Sequence, residues 1–464
     1  MAHLTNRVQA DDQVQRDAVT RLNAYASRVK AIRHVEPVAL PAPFQSLVAL
    51  PQLAHAQFGW RGCEPAPLWA VSKALRDVDI SIGYAEDPGM PAIDGCSTVV
   101  GRSDAMLQYL ERVGAAAVPI ETLRLRGAAS EQLVRQALSF ASLTALQLRV
   151  GKQLSTQVLL TLATAAPCLE ALDIEAHHIT AESMCASVSS ASAPLLFPAL
   201  RDLRINSTPG LFGMMLPLMP PSVLRSVHFD VCAPDGPSAL LPLFGALVAT
   251  AGSSLESLVL EYWPDFEEEE GDPRTEFPDW FTLDLLRPLA GLISLRYFRL
   301  TAARLPCLDD KDVGEIGKWW RQVEHLDLGT RDQRSDWGPG LTPGVYASLA
   351  KMCPMLKSLA LPVDVPEFAD EGQPSVEEML APFGRMRKAE GWGRVQPRHG
   401  LEEIRYGVLP DAPGAVKAFD MFLVALFPSV KRTEGSPESA PVRAGQDPHP
   451  AAVVHYLNML VDCR

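Results

Sequence analysis

Histidines and carboxylates that lie close together in the sequence are the first candidates for chemistry. His177 and His178 follow Asp173 and Glu175, and these residue types are common ligands of zinc and other transition metals. In a strand, however, adjacent residues point to opposite faces, so two neighbouring imidazoles rarely share one metal ion. We therefore expect no metal site at this position.

A second pair, His228 and Asp230, is spaced i, i+2, which places both side chains on one face of a strand, where they could form a hydrogen bond. Catalysis would also require a nucleophile near this pair. The sequence contains no G-x-S-x-G, H-E-x-x-H, P-loop or G-x-G-x-x-G motif. We expect no catalytic residue, no cofactor and no metal, and hence a protein that is not an enzyme.

Composition and charge limit the class of protein. The chain has 464 residues, of which 47% are hydrophobic and 21% charged, which is enough for a large core. Its net charge of −13 argues against nucleic acid or an anionic membrane as the main partner. The polar N-terminus does not resemble a secretory signal. The most apolar segment, residues 239–251, is too short to cross a membrane and is predicted to be a buried helix.

The eight cysteines are scattered along the chain, and no two have C-x-x-C spacing, so a zinc ribbon or a thioredoxin-type site is not expected. They lie mostly in apolar surroundings, which is typical of buried thiols. We therefore expect a cytoplasmic or nuclear protein whose cysteines are reduced and buried.

An internal repeat determines the predicted fold. The motif L-x-x-L-x-L, with other apolar residues allowed at each leucine, occurs twelve times, at intervals of 22 to 45 residues. In the final L-x-L, a short strand points two apolar residues into the core, and each strand pairs in parallel with the next. The motifs are Leu53/Ala56/Phe58, Leu75/Val78/Ile80, Ile120/Leu123/Leu125, Leu143/Leu146/Leu148, Leu169/Leu172/Ile174, Leu200/Leu203/Ile205, Leu224/Val227/Phe229, Leu255/Leu258/Leu260, Leu295/Phe298/Leu300, Val323/Leu326/Leu328, Leu356/Leu359/Leu361 and Leu401/Ile404/Tyr406.

The chain must return between successive strands, and several of the connecting segments are predicted to be helical. These segments are 155–166, 240–251, 283–289, 309–320 and 343–353. One repeat cannot bury its own apolar face, whereas a stack of repeats can. We therefore predict an α/β fold, a leucine-rich-repeat solenoid or horseshoe with parallel strands on the concave face and helices on the convex face.

Four regions follow from this pattern. Residues 1–40 are predicted to form a helical N-terminal cap, and residues 41–431 the solenoid with its loop insertions. Residues 432–450 are rich in Pro, Ser and Gly and are predicted to be a flexible linker. Residues 451–464 are predicted to form a C-terminal helix.

Charged residues flank the apolar pair of many strands and should face the concave side of the solenoid. Three arginines on two adjacent strands precede two carboxylates on the next, which predicts a basic patch beside an acidic one. Arginine is enriched at protein interfaces because its planar fork pairs with carboxylates and stacks on aromatic rings. The candidate protein-binding residues are Arg124, Arg126, Arg149, Asp173, Glu175, Arg204, His228, Asp230 and Arg299. The alternatives are an ordinary solvated polar face and, for the arginines, a site for a phosphorylated small molecule.

A run of like charges, Phe-Glu-Glu-Glu-Glu-Gly-Asp, occupies residues 266–272. Such runs repel one another and stay solvated, which favours a flexible loop. The neighbouring Trp263, Trp280 and Phe281 leave a second interpretation open, in which the loop binds a basic partner, because aromatic residues anchor interfaces.

The chain resembles the fungal F-box/leucine-rich-repeat proteins, particularly those of mushroom-forming fungi. Tyr25-Ala-Ser-Arg-Val-Lys is similar to the family's helix that follows the F-box, and the likeness continues in residues 168–176, 323–330, 341–364 and 426–430. The resemblance implies a target-recognising receptor of a cullin ubiquitin ligase, whose F-box docks on a Skp-type adaptor. That module should precede Tyr25. Only 24 residues stand there, without an L-P-x-E-L-type opening, so we expect the adaptor-binding module to be missing.

Two functions remain open from the sequence. The first is a protein-interaction scaffold, the target-recognition part of an F-box/leucine-rich-repeat ligase receptor, with an unidentified protein target. A Skp-type adaptor and a cullin ligase would be partners if an F-box exists upstream. The second is a repeat protein that acts directly on its partner, as the leucine-rich GTPase activators of Ran do. Neither nucleic acid nor a membrane is an expected partner.

Overall fold

The computed structural model describes residues 20–21, 23–34, 50–59, 66–83, 99–188, 195–232, 236–262, 281–302, 306–329, 341–363, 400–406, 419, 423, 427 and 429–434. The chain divides into two compact units. The first comprises residues 1–206 with 218–220, and the second comprises residues 207–217 with 221–464.

The strands of the first unit follow one another in chain order, and each runs parallel to its neighbours. They are β1 Ala31–His34, β2 His55–Phe58, β3 Asp77–Ser81, β4 Thr122–Arg126, β5 Ala145–Arg149, β6 Ala171–Glu175 and β7 Asp202–Ser207. The connecting helices are α1 Val99–Ala115, α2 Glu131–Ala137, α3 Thr156–Ala165 and α4 Ala181–Val188, with 3₁₀ turns at Leu68–Ala70 and Gly151–Gln153.

The second unit has the same parallel arrangement. Its strands are β8 Ser226–Val231, β9 Ser257–Tyr262, β10 Tyr297–Ala302, β11 His325–Asp327, β12 Ser358–Leu361, β13 Glu403–Tyr406 and β14 Arg432–Glu434. The helices are α5 Pro209–Met215, α6 Leu240–Ala251, α7 Leu283–Leu286, α8 Asp310–Trp319 and α9 Gly344–Met352, and 3₁₀ turns lie at Leu216–Leu218, Pro237–Ala239 and Arg287–Gly291.

All twelve predicted motifs form strands, β2 to β13 in order. Every apolar residue of the motifs is buried, none more than 3% exposed. In β4, for example, Leu123 and Leu125 are fully buried, while Thr122, Arg124 and Arg126 on the other side are partly exposed. Within each unit the predicted α/β class, a leucine-rich-repeat solenoid of parallel strands and connecting helices, is confirmed.

The sheets continue beyond the boundaries predicted for the repeat region. Strand β1 lies within residues 1–40, the predicted helical cap, where residues 20, 21 and 23–26 are helical. Strand β14 lies at the start of residues 432–450, the predicted linker. The rest of that linker and the predicted helix 451–464 fall outside the described residues.

The five predicted connecting helices are present, with ends shifted by a few residues. The apolar segment 239–251 is the helix α6, in which Leu243, Phe244 and Leu247 are buried, as expected for a core helix. Helices α1, α2, α4 and α5 were not predicted. No helix in the described part of the chain is both long and apolar enough to span a membrane.

The expectation that the cysteines are buried is wrong for most of those that the structure describes. Cys168, Cys185 and Cys307 are exposed and Cys232 is partly exposed, whereas Cys353 is buried. Burial raises the pKa of the Cys353 thiol to about 12, which makes it unreactive. For Cys168, the apolar sequence neighbourhood misleads because the residue lies in the turn between α3 and β6, on the outside of the chain.

Candidate protein-binding surface

The polar side of each sheet is the candidate surface. We call it the strand face: the strand residues that alternate with the buried apolar positions. In the first unit it includes Asp77, Asp79, Arg124, Arg126, Gln147, Arg149, Asp173, Glu175, Arg204 and Asn206. In the second it includes His228, Asp230, Val259, Glu261, Tyr297, Arg299, His325, Asp327 and Arg405.

The predicted arginines of β4 are paired with aspartates of the preceding strand. Nη1 of Arg124 donates to both carboxylate oxygens of Asp77, at 3.0 and 3.3 Å. Nη2 of Arg126 donates to both oxygens of Asp79, at 2.7 and 2.8 Å. The register, which sets Asp79 opposite Arg124, brings these residues together across 47 positions of sequence. The arginines therefore do not form a patch of isolated positive charge.

Asp173 of β6 is the next carboxylate along the strand face. It accepts hydrogen bonds from Gln147 at 2.5 Å and from Nη2 of Arg149 at 3.1 Å, both on β5. Arg204 stands opposite Asp173 on β7, but in the described part of the chain no ion pair joins them. Glu175 approaches His177, with 3.7 Å between Nδ1 and Oε1. Basic and acidic side chains are thus interleaved, instead of forming the two adjacent patches that the sequence predicts.

In the second unit, the imidazole of His228 faces a carboxylate of the next strand. Its Nε2 lies 3.3 Å from Oε1 of Glu261 on β9. Asp230, the partner predicted for His228, lies partly exposed on the same side of β8.

Asp327 of β11 lies between two arginines on the strand face of the second unit. Nη2 of Arg405 lies 3.2 Å from its Oδ2, and Nε of Arg299 lies 3.8 Å from the same oxygen. Arg405 reaches Asp327 from two strands away, because Ala360 of the intervening β12 is small and lies beneath it in the register. The carboxylate also accepts the Gly329 amide at 2.9 Å, which fixes its orientation.

A second set of charges, which we call the entry residues, lies where each strand begins, directly after the first apolar residue of the motif. In the second unit their signs alternate from repeat to repeat. They are Arg225, Glu256, Arg296, Glu324, Lys357, Glu402 and Lys431. This alternation was not predicted, although it is present in the amino-acid sequence at the position after each first apolar residue.

The entry residues are held side by side by the backbone. The carbonyl of Arg225, for example, accepts the amides of Glu256 and Ser257 of the next repeat, at 2.7 and 3.0 Å. Ion pairs join Arg225 with Glu256 at 3.6 Å, Arg296 with Glu324 at 3.1 Å, and Lys431 with Glu402 at 2.9 Å. Lys357 also pairs with Glu324. Neighbouring repeats are therefore charge-matched along this edge.

The two histidines considered as metal ligands, His177 and His178, contact different groups. Nε2 of His178 lies 2.8 Å from the backbone carbonyl of Leu154, while His177 approaches Glu175. Their rings meet edge to face, with centroids 5.3 Å apart. No group of three or more His, Cys, Asp or Glu side chains within the described ranges is placed to hold a metal ion.

The acidic run 266–272, with Trp263 and Trp280, lies outside the described residues. Phe281, considered with them as an interface anchor, is fully buried and packs against Tyr262 with ring centroids 5.7 Å apart. It belongs to the core of the second unit and offers no surface to a partner.

Comparisons with known proteins show a distant likeness to solved structures. No protein-family model matches the chain, and no curated protein sequence matches it. Among solved structures, it is similar to a chain in the crystal structure of the Rad7 and Elc1 complex in yeast, at 12% identity, covering 73% of this chain and 96% of that one. The TM-score of 0.36 is low, and the likeness carries no argument about function.

Proposed function

We propose that this chain is a protein-interaction scaffold that binds a protein target through its strand faces. The observation that carries the proposal is the polar strand face of the first unit, where Arg124, Arg126 and Arg149 are held in place by aspartates while their guanidinium groups stay partly exposed. Arginines that are fixed before binding lose little side-chain entropy when a partner docks, and arginine is frequent among the residues that dominate interfaces.

A binding role fits the chain better than catalysis. The sequence contains none of the catalytic motifs considered above, and solenoids characteristically use their extended strand surface to hold partners. The charged groups of the strand face are engaged with one another, which orients them for contact. A general acid or base, by contrast, must be able to exchange a proton with substrate.

We propose further that the chain is the target-recognition part of an F-box/leucine-rich-repeat ubiquitin ligase receptor. The resemblance of Tyr25-Ala-Ser-Arg-Val-Lys and of residues 341–364 to that family supports this assignment. In that role, the repeats would hold the target and a segment upstream of Tyr25 would dock on a Skp-type adaptor.

Calorimetric titration with a purified Skp-type adaptor tests the ligase assignment, with this chain and with a copy extended upstream as encoded in the genome. We expect the extended copy to bind the adaptor, and the comparison with the 464-residue chain locates the docking segment. If the chain binds by itself, an adaptor-docking segment lies within it and the expectation of a missing module is wrong. If neither binds, the ligase assignment is wrong.

A further inference from the structure

Three arginines of the first unit's strand face share one bonding geometry. In each, a single terminal nitrogen bridges both oxygens of an aspartate: Arg124 with Asp77, Arg126 with Asp79, and Arg149 with Asp173. A guanidinium has five N–H donors in a planar fork, so this contact leaves donors over. For Arg126, Nε is buried, so the donors that a partner can reach are those of the terminal nitrogens.

The two kinds of charge lie at different depths. The side chains of Asp77, Asp79 and Asp173 are 26%, 16% and 23% exposed, whereas those of Arg124, Arg126 and Arg149 are 42%, 38% and 37% exposed. The carboxylates therefore form a lower layer that fixes the arginines, and the guanidinium groups form the layer that a partner meets first. We call these three arginines the arginine layer.

The distances between the three arginines match those between side chains of an extended peptide. Arg124 and Arg126 lie two residues apart on one strand, a distance of about 7 Å along it. Alternate side chains on one side of an extended peptide have the same spacing. Arg149 lies on the adjacent strand, about 5 Å to the side, where it can contact the same carboxylate as Arg126.

We propose that the arginine layer binds an extended acidic segment of a partner protein, with carboxylates at alternate positions. This inference rests on the proposed function and names the chemistry of the target. Each incoming carboxylate accepts from the N–H groups of Arg124 and Arg126 that Asp77 and Asp79 do not engage. These guanidinium groups are already oriented by the aspartates, so little further side-chain entropy is lost on binding. The chain's net charge of −13 repels acidic peptides in general, so selective binding must arise from local contacts.

The test is fluorescence anisotropy with a labelled octapeptide of alternating Gly and Glu, compared with the same peptide carrying Gln for Glu. We expect the wild-type chain to bind the Glu peptide and not the Gln peptide. The variant Arg124→Ala/Arg126→Ala should weaken binding by about tenfold or more. The control Arg112→Ala/Arg135→Ala removes the same charge from exposed positions on α1 and α2 and should change binding less than about twofold.

A third variant, Arg124→Lys/Arg126→Lys, keeps the charge but lacks the second edge of the fork, and we expect it to lose most of the affinity. Circular dichroism melts of all variants establish that they are folded. The inference is overturned if the wild-type chain does not distinguish the two peptides, or if the alanine variant binds as the wild type does. Those results leave adaptor binding by the extended copy unaffected, so they are distinguishable from failure of the proposed function.

Discussion

Glu324 lies between two cations of neighbouring repeats, and its side chain is only 16% exposed. A hydrogen bond from Lys357, reinforced by the charges of Lys357 and Arg296, lowers the pKa of this carboxyl below its ordinary value of 4.5. A carboxyl whose pKa is depressed by folding stabilises the folded chain above its unfolded pKa, and that contribution is lost as the pH falls through the folded pKa.

We predict that Glu324→Gln lowers the free energy of unfolding by about 1 kcal/mol at pH 7, since two ion pairs with a half-buried partner are lost. Below the folded pKa, where Glu324 is itself protonated, variant and wild type should become equally stable. Chemical denaturation at pH 7 and at successive steps below pH 4.5 measures how the stability difference between variant and wild type shrinks. Glu131→Gln, in the exposed helical pair with Arg135, serves as control and should change stability by about half as much or less. A stability difference that stays the same at every pH would contradict the assignment.

At the residue scale, the sequence predicts which side chains alternate with the buried positions but not how they pair. Arg126 follows directly from the L-x-L motif, whereas its partner Asp79 belongs to a repeat 47 residues earlier. The irregular intervals between motifs hide which residues stand opposite one another until the strand register is known. The same reason explains why a basic patch was predicted where the structure has interleaved charges.

Helices α8 and α9 of the second unit pack closely because α8 carries glycines on the contacting side. A Cβ added at Gly317 would lie 3.2 Å from Cδ2 of Leu349 and 3.3 Å from Sγ of Cys353. At Gly314, one turn earlier, the nearest atom would be Cε of Met352 at 3.8 Å, an ordinary contact. Glycine lowers helix stability at both positions, but only Gly317 is needed for the close approach.

We predict opposite effects from substitutions at these two glycines. Gly317→Val should destabilise the chain by about 1–3 kcal/mol, because its branched side chain overpacks the contact with α9. Gly314→Ala should be neutral or stabilise it by up to about 1 kcal/mol, through the gain in helix propensity. Urea denaturation compares them with the wild type. A Gly317→Val chain as stable as the wild type would mean that α8 and α9 are not closely packed.

At the element scale, strands with the complete motif could be predicted from the sequence, and strands without it could not. In β1 the third motif position is His34, and in β14 the second is Thr433, so both strands lack apolar residues that the pattern requires. The short helices α2, α4 and α5 span only two turns, too few for a helical period to stand out. Helix α1 lies between the motifs that begin at Leu75 and Ile120, one of the two longest intervals, for which no helix was predicted.

At the scale of the molecule, the repeat pattern predicts the class of fold, while the identity of the target is carried by scattered surface residues that a single sequence does not reveal. The central claim is that the strand face contacts a protein partner. Because the claim concerns which surface is contacted, it can be tested before the partner is identified.

Site-specific photo-crosslinking in cells makes this test most directly. A photoreactive residue at Gln147, in the middle of the first unit's strand face, is compared with one at Gln157, an exposed position on α3. We predict a defined crosslinked protein from position 147, absent from position 157, and lost when Arg124→Glu/Arg126→Glu reverses the local charge. Equal crosslinking from both positions, or crosslinking unaffected by the charge reversal, would contradict the account.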